Sequence, residues 1–483
     1  MPGLLAAHVI ATIQVYVSNR GLYQTLTALA GAGYLVVPNE RVMPRLLEPG
    51  AALAGALFFT LSLGAGLTVL SFAAAWIWDR LLLRKKMLLI PFALLWGILI
   101  ALPNIREFSP FVSLYLLLIP PLIFLITAKA LPPRTGKRLV LTEMAQVIPL
   151  VLIAALWGAF MNEWIFLNVR DTLLLSNPAG IRVNDFYYTH TLYPAEVFKT
   201  LQQKTLKTCR ITGIPDAALA ASLEKTLARF DYLAVDVPAR ADLAVRERDG
   251  TLFFEHEGAV LVKSTPGDFL ARPAETLREF SRQGDGNLFF RRITFFSLAA
   301  GLPVALYIII YGLCRFALSF FMNAGKASLA ASVACLAAGT VLVVPFYIQG
   351  DVVSPDRVAM AMESPDWRER VAALRTIDRA GMEIGNYPSY RKMPAGTHVA
   401  ERYWIAFVLG KSQRPETYPD IVTLLDDPHP NVVCKAIEAL GKRGDSRAIE
   451  VLKGRIRTSD HWYVQWYAYR ALRSLGWKQT KST

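Results

Sequence analysis

The chain has 483 residues, 53% of them apolar and 19% charged, with mean hydropathy +0.34 and a formal net charge of +14. That composition argues against an ordinary soluble chain and for an integral membrane protein with soluble parts. The positive balance does not indicate nucleic acid: no basic helix or RNA-binding motif is present, and many Lys and Arg residues flank apolar stretches, where they set topology.

Residues 1–52 contain two awkward stretches. "LLAAHVIATIQVYV" is short and carries His8 and Gln14; "LYQTLTALAGAGYLVV" carries Gln24 and several glycines. Both read as interfacial or re-entrant helices. Counting either as a span would change the parity used below. The apolar run at Leu4 lacks a basic flank and a clear cleavage site, so no cleavable signal peptide is expected.

Six later stretches approach the length of about 20 apolar residues that a bilayer requires. Four fall within 53–167, at 53–76, 87–103, 111–128 and 145–167; two fall within 292–349, at 293–313 and 327–348. Trp76, Trp78, Trp157 and Trp164 lie near span ends, as do Asn162 and Glu163, which mark an interface. Pro120-Pro121 should kink the third span, and neighbouring helices must then satisfy the carbonyls it frees. The span centres hold no Asp, Glu, Lys, Arg or His, which argues against a proton pump or an ion-coupled transporter.

Loop charge gives the orientation. "DRLLLRKK" holds Arg80, Arg84, Lys85 and Lys86; "KALPPRTGKR" holds Lys129, Arg134, Lys137 and Arg138; the loop between spans two and three holds only Arg106. The two basic loops are expected to face the cytoplasm. Parity then puts 168–291 and 350–483 on the other side, the periplasm of a bacterial inner membrane. Arg291 and Arg292, before span five, dissent, but long domains weigh little in this rule.

Residues 168–291 read as a small α+β domain. "PAEVFKTLQQKTLKTC" predicts a helix with Pro194 at its start, and "PDAALAASLEKTLARF" a second with Asp216 in its first turn. "YLAVDV", "DLAVRERDGTLFFEHEG" and "AVLVKS" predict strands of a three- or four-stranded antiparallel sheet, turning at Asp249-Gly250, with His256 directed to solvent. "PAETLREFSRQGDG" predicts a closing helix. The densest polar patch, "NDFYYTHTLYPAE", offers Asp185, Tyr188, His190 and Glu196 as a ligand patch. The alternative is a loop joining the domain to the membrane surface. A lone His without a second ligand at metal spacing is weak evidence, and no nucleophile, phosphate-binding or zinc motif is present. No catalytic residue, metal or cofactor is expected.

Residues 350–483 repeat. "SPDWRERVAALRTIDRAG" aligns with "SDHWYVQWYAYRALRSLG"; "NVVCKAIEALGKRG" keeps the register between them, and "ERYWIAFVLGKSQ" supplies a fourth copy. Ile377, Leu409, Leu440 and Leu472 are equivalent, at spacings of 32, 31 and 32 residues, a period that marks stacked helical hairpins. Gly444 and Gly476 should stop their helices, and Asp-Pro before a helix should offer its dipole an acidic partner.

On "DDPHPNVVCKAIEALGKRGDSRAIEVLKGRI" and "DHWYVQWYAYRALRSLG" this quarter of the chain resembles HEAT-like repeats of the phycobilisome-lyase type. The resemblance implies an α-solenoid that binds partners; it does not imply lyase chemistry. Trp404 and Tyr467 stand where the third copy has Lys435, a polar site, and Tyr463 and Arg470 flank Tyr467. Aromatics at solvent-facing positions suggest partner contacts, so Trp404, Tyr463, Tyr467 and Arg470 are the candidate partner-binding residues. The alternative is that they cap the terminal repeat or rest on the membrane surface or the middle domain.

The expected fold class is a polytopic α-helical membrane protein of six spans with an inserted α+β extracytoplasmic domain and a C-terminal α-solenoid of HEAT-like repeats. The expected function is a non-enzymatic scaffold or assembly subunit in contact with membrane lipid and other envelope proteins. An enzyme acting on a lipid-linked or periplasmic substrate near Asp185, His190 and Glu196 is the alternative. Cys209, Cys314, Cys335 and Cys434 show no metal or redox spacing.

Overall fold

A computed structural model describes residues 1–105, 108–131, 147–155, 167, 169–235, 241–348, 353–395 and 398–481. The chain divides into two units, one formed by 1–17, 52–169 and 286–350, the other by 18–51, 170–285 and 351–483.

In the first unit, five described helices are long and apolar enough to cross a membrane: Pro49–Arg80, Lys86–Asn104, Pro110–Ala130, Leu288–Ser319 and Ala324–Val341. They contain expected spans one, two, three and five and most of six. Most of the fourth, with Trp157, Asn162, Glu163 and Trp164, lies outside the described residues, as do Arg106, Arg134, Lys137 and Arg138.

The two short helices expected near the N-terminus form one, Pro2–Gly31. Its early polar groups have partners: His8 Nδ1 lies 2.9 Å from Thr60 Oγ1, and the Tyr115 hydroxyl donates to Gln14 Oε1 at 3.2 Å. Polar groups in apolar surroundings need such partners, which explains why this stretch packs among helices.

Helix Pro110–Ala130 continues through Pro120 and Pro121. Pro120 has no N–H to donate to the carbonyl of Leu116, four residues back. Trp96 Nε1 donates to that carbonyl instead, at 2.7 Å. Elsewhere two long helices meet at glycine. Each contains one wide turn, Thr60–Gly64 and Ser297–Gly301. A Cβ placed on Gly301 would sit 2.4 Å from Gly66 Cα, and one on Gly66 would sit 2.2 Å from Ser297 Oγ. Small residues permit such close backbone approach between apolar helices.

The second unit contains a sheet of five strands, β1 (Lys207–Thr212), β2 (Tyr232–Ala234), β3 (Leu243–Arg248), β4 (Thr251–His256) and β5 (Ala259–Ser264), in the spatial order β2-β1-β3-β4-β5. β3, β4 and β5 pair antiparallel, and β3 turns into β4 through Asp249 and Gly250, both at positive φ. β1 pairs parallel with β2 and β3, so the sheet is mixed and one strand larger than expected. The reason is β1: a single long helix was expected over "PAEVFKTLQQKTLKTC", but the helix is only Leu192–Phe198 and the chain re-enters as a strand at Lys207. Helix Ala217–Ala228, capped by Asp216 on the Ala218 N–H, provides the crossover from β1 to β2. The sheet buries Cys209, Leu243, Val245 and Phe254 against Leu223, Leu227 and Phe280. His256 does not face solvent freely; its Nδ1 lies 2.7 Å from the Asp242 carbonyl.

The repeats follow. The equivalent helices are Trp367–Ala380, Val399–Leu409, Pro430–Arg443 and Trp462–Ser474, and Ile377, Leu409, Leu440 and Leu472 are fully buried. Gly381, Gly444 and Gly476 have positive φ and end their helices; Gly410 does not, and instead lies against Ala439, where a Cβ would approach its Cα to 2.8 Å. Asp427 is not the cap of the third copy. The His429 imidazole accepts the Asn431 N–H, and Asp427 instead takes Arg402 at 2.5 Å. With the bidentate Arg370–Glu401 pair, this ties copy one to two and copy two to three.

Candidate functional site

Three sequence segments converge on the repeats within the second unit. Asp171, which follows the undescribed part of the fourth expected span, is 1% exposed. Its Oδ2 accepts from Arg375 Nη2 at 2.5 Å and from Trp404 Nε1 at 2.7 Å, and its Oδ1 accepts from Arg170 Nε at 2.7 Å. Arg375 belongs to the first copy and Trp404 to the second. One carboxylate therefore bridges two repeats and satisfies a buried guanidinium and a buried indole N–H, groups that are costly to leave unpaired.

Asn39 does the same at the other end. Its backbone N–H donates to Gln465 Oε1 at 2.7 Å, and its side-chain amide donates to the carbonyls of Ile456, Arg457 and Ser459 at 2.7–3.2 Å. Those carbonyls end helix Ala448–Thr458, where no further helical turn can bond them. Gln479 bonds the Leu35 N–H and carbonyl from the other side.

Helix Pro178–His190 and helix Leu192–Phe198 form the stretch that sequence offered as a ligand patch or a connecting loop. The patch does not converge on one point. Asp185 faces His429 Nε2 at 3.6 Å, Glu196 pairs with Lys199, and the His190 ring lies 4.7 Å from Phe186 and 6.3 Å from Tyr193. Burial pushes the His190 and His429 imidazoles below their usual pKa, favouring the neutral form. Tyr188 turns instead to the last repeat, its ring 4.7 Å from that of Tyr463. Thr191 Oγ1 and the Tyr463 hydroxyl lie 2.9 Å apart, and Tyr193 packs edge-on to Trp462. Asn184 donates to Asn431 Oδ1 at 2.8 Å.

The candidate partner residues therefore separate. Tyr463 and Tyr467 are half-buried with Tyr188 near them, Arg470 is exposed with its guanidinium 4.6 Å over Trp466, and Trp404 is turned inward, only 5% exposed. Trp404 was expected at the surface because Lys435 is its equivalent; the Asp171 carboxylate explains why an indole points inward there. Val183, Phe186 and Tyr187, at helical spacing on Pro178–His190, are exposed instead. Asp171, Asn39 and Asn184 carry no sequence signal that sets them apart: each stands beside other polar residues, Arg170 and Thr172, Glu40 and Arg41, and Asp185.

The family model for HEAT repeats matches residues 395–473. The C-terminal part of the chain is thus a HEAT-repeat array, of the kind that generally mediates protein–protein interactions. No curated protein and no solved structure matches the chain.

Proposed function

We propose that the protein is a membrane-anchored scaffold that holds its HEAT repeats on the periplasmic side of a bacterial inner membrane, as a docking platform for an envelope complex. The carrying observation is that a HEAT-repeat array at 395–473 shares one chain with five helices long and apolar enough to span a bilayer. The basic loops at Arg80–Lys86 and after Lys129 support a cytoplasmic side for those loops. The α+β segment at 168–291 then belongs to the same periplasmic platform. Partner contacts fall on Tyr463, Tyr467 and Arg470, extended by the exposed Val183, Phe186 and Tyr187. The enzyme alternative has less support, because Asp185, His190 and Glu196 each take a separate partner.

Alkaline phosphatase fused after Thr483 should be active and the same enzyme fused after Lys86 inactive. The reverse pattern would overturn the orientation. A photo-crosslinking residue at Tyr187 should trap a discrete heterologous envelope protein in cells, whereas one at the Tyr232 core position should not. Equal yields at the two positions would overturn the docking reading.

A further inference from the structure

The second unit contains a cleft of about 850 Å³ that the scaffold reading does not use. It lies between the β1–β2 end of the sheet, helix Pro273–Gln283 and the last repeat helix. Its described lining is strongly one-signed: seven Lys and Arg side chains against a single carboxylate, Asp231. Three of the seven have acidic partners. Lys199 pairs with Glu196, Lys204 with Asp242 at 2.7 Å, and Arg473 with Asp231 at 3.3 Å. Among the described residues no carboxylate forms an ion pair with the other four: Lys207, Arg229, Arg278 and Arg470.

Lys207 is the telling member. It opens β1 and is 4% exposed, yet its ammonium has only the Lys204 carbonyl at 3.3 Å and the Tyr232 ring at 4.8 Å. Burial pushes it down to about 8, with Asp231 and Asp242 opposing and Lys204 and Arg473 adding to the fall. A buried ammonium without a carboxylate in ion-pair contact is costly unless something anionic joins it. Arg229, Arg278 and Arg470 are exposed and can turn toward a ligand.

We infer that this cleft binds a phosphoryl-bearing ligand, with Lys207 at its floor, Arg229, Arg278 and Arg470 at its rim, and Trp466 flanking an apolar or ring portion of the molecule. A single carboxylate would leave most of the four cations uncompensated, whereas a phosphate or diphosphate offers several oxygens and more than one charge. Guanidinium forks match phosphate oxygens in pairs, and an ammonium serves as a point charge. Aromatic walls with a few convergent polar groups are the usual make-up of a small-molecule site. The chemistry is common to a soluble phosphate ester and to a phospholipid headgroup. This site shares Arg470 with the proposed docking surface, and the variants below leave Arg470 in place, so the two readings can fail separately.

The test uses the full chain in a non-ionic detergent. Sodium pyrophosphate is titrated calorimetrically, and flotation measures binding of nanodisc-reconstituted protein to phosphatidic acid vesicles against phosphatidylcholine vesicles. Binding of either phosphoryl probe, weakened at least tenfold in the Arg229→Ala/Arg278→Ala double variant, is the expected result. Pyrophosphate alone identifies a soluble ligand class, and phosphatidic acid alone a headgroup. Because both substituted positions are exposed, that variant should keep its fold. Lys207→Met should abolish binding. Failure of both probes to bind, or binding that the double variant leaves unchanged, would overturn the inference whatever the outcome of the docking experiments.

Discussion

Replacing Asp171 by Ala removes one carboxylate and leaves three donors behind, on Arg170, Arg375 and Trp404. The side chains of Asp171 and Arg375 are only 2% and 8% exposed, so solvent cannot take the place of the lost partner. Breaking one side of a buried ion pair costs about 3–5 kcal/mol, and an orphaned buried N–H costs about 1–3 kcal/mol. The two share an acceptor and will not add, so the expected loss is about 3–5 kcal/mol. Domains of 150–250 residues lose about 2–4 °C per kcal/mol, the larger ones least, and the second unit is larger still, so the drop in Tm should be roughly 6–10 °C. The assay is thermal unfolding of the full chain in detergent by intrinsic fluorescence, with hydrogen exchange to localise the effect. Protection should fall first in Trp367–Ala380 and Val399–Leu409, the helices that hold Arg375 and Trp404. Arg375→Met added to Asp171→Leu removes both charges of that ion pair and should recover part of the loss, while the Arg170 and Trp404 donors remain without their acceptor. A shift of under 2 °C in Asp171→Ala, or a double variant no better than the worse single one, would refute the reasoning.

Three further outcomes can be measured on the same preparation. Trp96→Phe leaves the Leu116 carbonyl without its donor beside Pro120 and should destabilise the helical unit by about 0.6–1.7 kcal/mol, while Trp76→Phe near the end of the first span should not. Gly301→Leu must push apart the backbones at Gly66 and should cost about 1–3 kcal/mol or more, whereas Gly312→Leu, with nothing within 4 Å of its added Cβ, should be tolerated; equal effects would refute the close-approach reading. Burial holds the His429 and His461 imidazoles below the usual histidine value of about 6.5. The unfolded chain then takes up protons first as pH falls, so the stability from neutral burial is full above about 6.5 and declines from there toward the lower folded-state values. The Tm should fall between about pH 7 and pH 5, and His429→Gln with His461→Gln should flatten that slope; an unchanged slope would show that other groups set it.

Much of the local structure was legible because its causes are local. The period of Ile377, Leu409, Leu440 and Leu472 reports four buried positions, the Asp249-Gly250 dipeptide reports a turn at positive φ, and Asp216 reports a cap. β1 was not legible, because Lys207 and the threonines on either side of it continue a plausible helix; the strand exists through parallel partners at Tyr232 and Leu243. Trp404 was misjudged for a related reason. Alignment with Lys435 gives the position of the side chain on its own helix, but its direction is set by Asp171, 233 residues earlier. Asp185, His190 and Glu196 are close in sequence, and a helix points such residues to different neighbours.

Asp171 and Asn39 change what the repeats are. A stacked array normally shields its terminal layers with capping repeats of its own. Here the first and second copies share a carboxylate from the segment after residue 169, and the carbonyls that end Ala448–Thr458 are bonded by Asn39 from the segment before residue 52. Leu35 and Gln479 close a further pair of backbone bonds. The array is therefore finished by chain that flanks the apolar helices, and its 351–483 portion expressed alone would expose Arg375, Trp404 and the helix-end carbonyls together. Loss of function on deleting that portion would thus confound loss of a docking surface with unfolding of the remaining chain at 18–51 and 170–285. Single changes at exposed positions such as Val183 and Phe186 separate the two, because the contacts that hold the segments together fall on other residues.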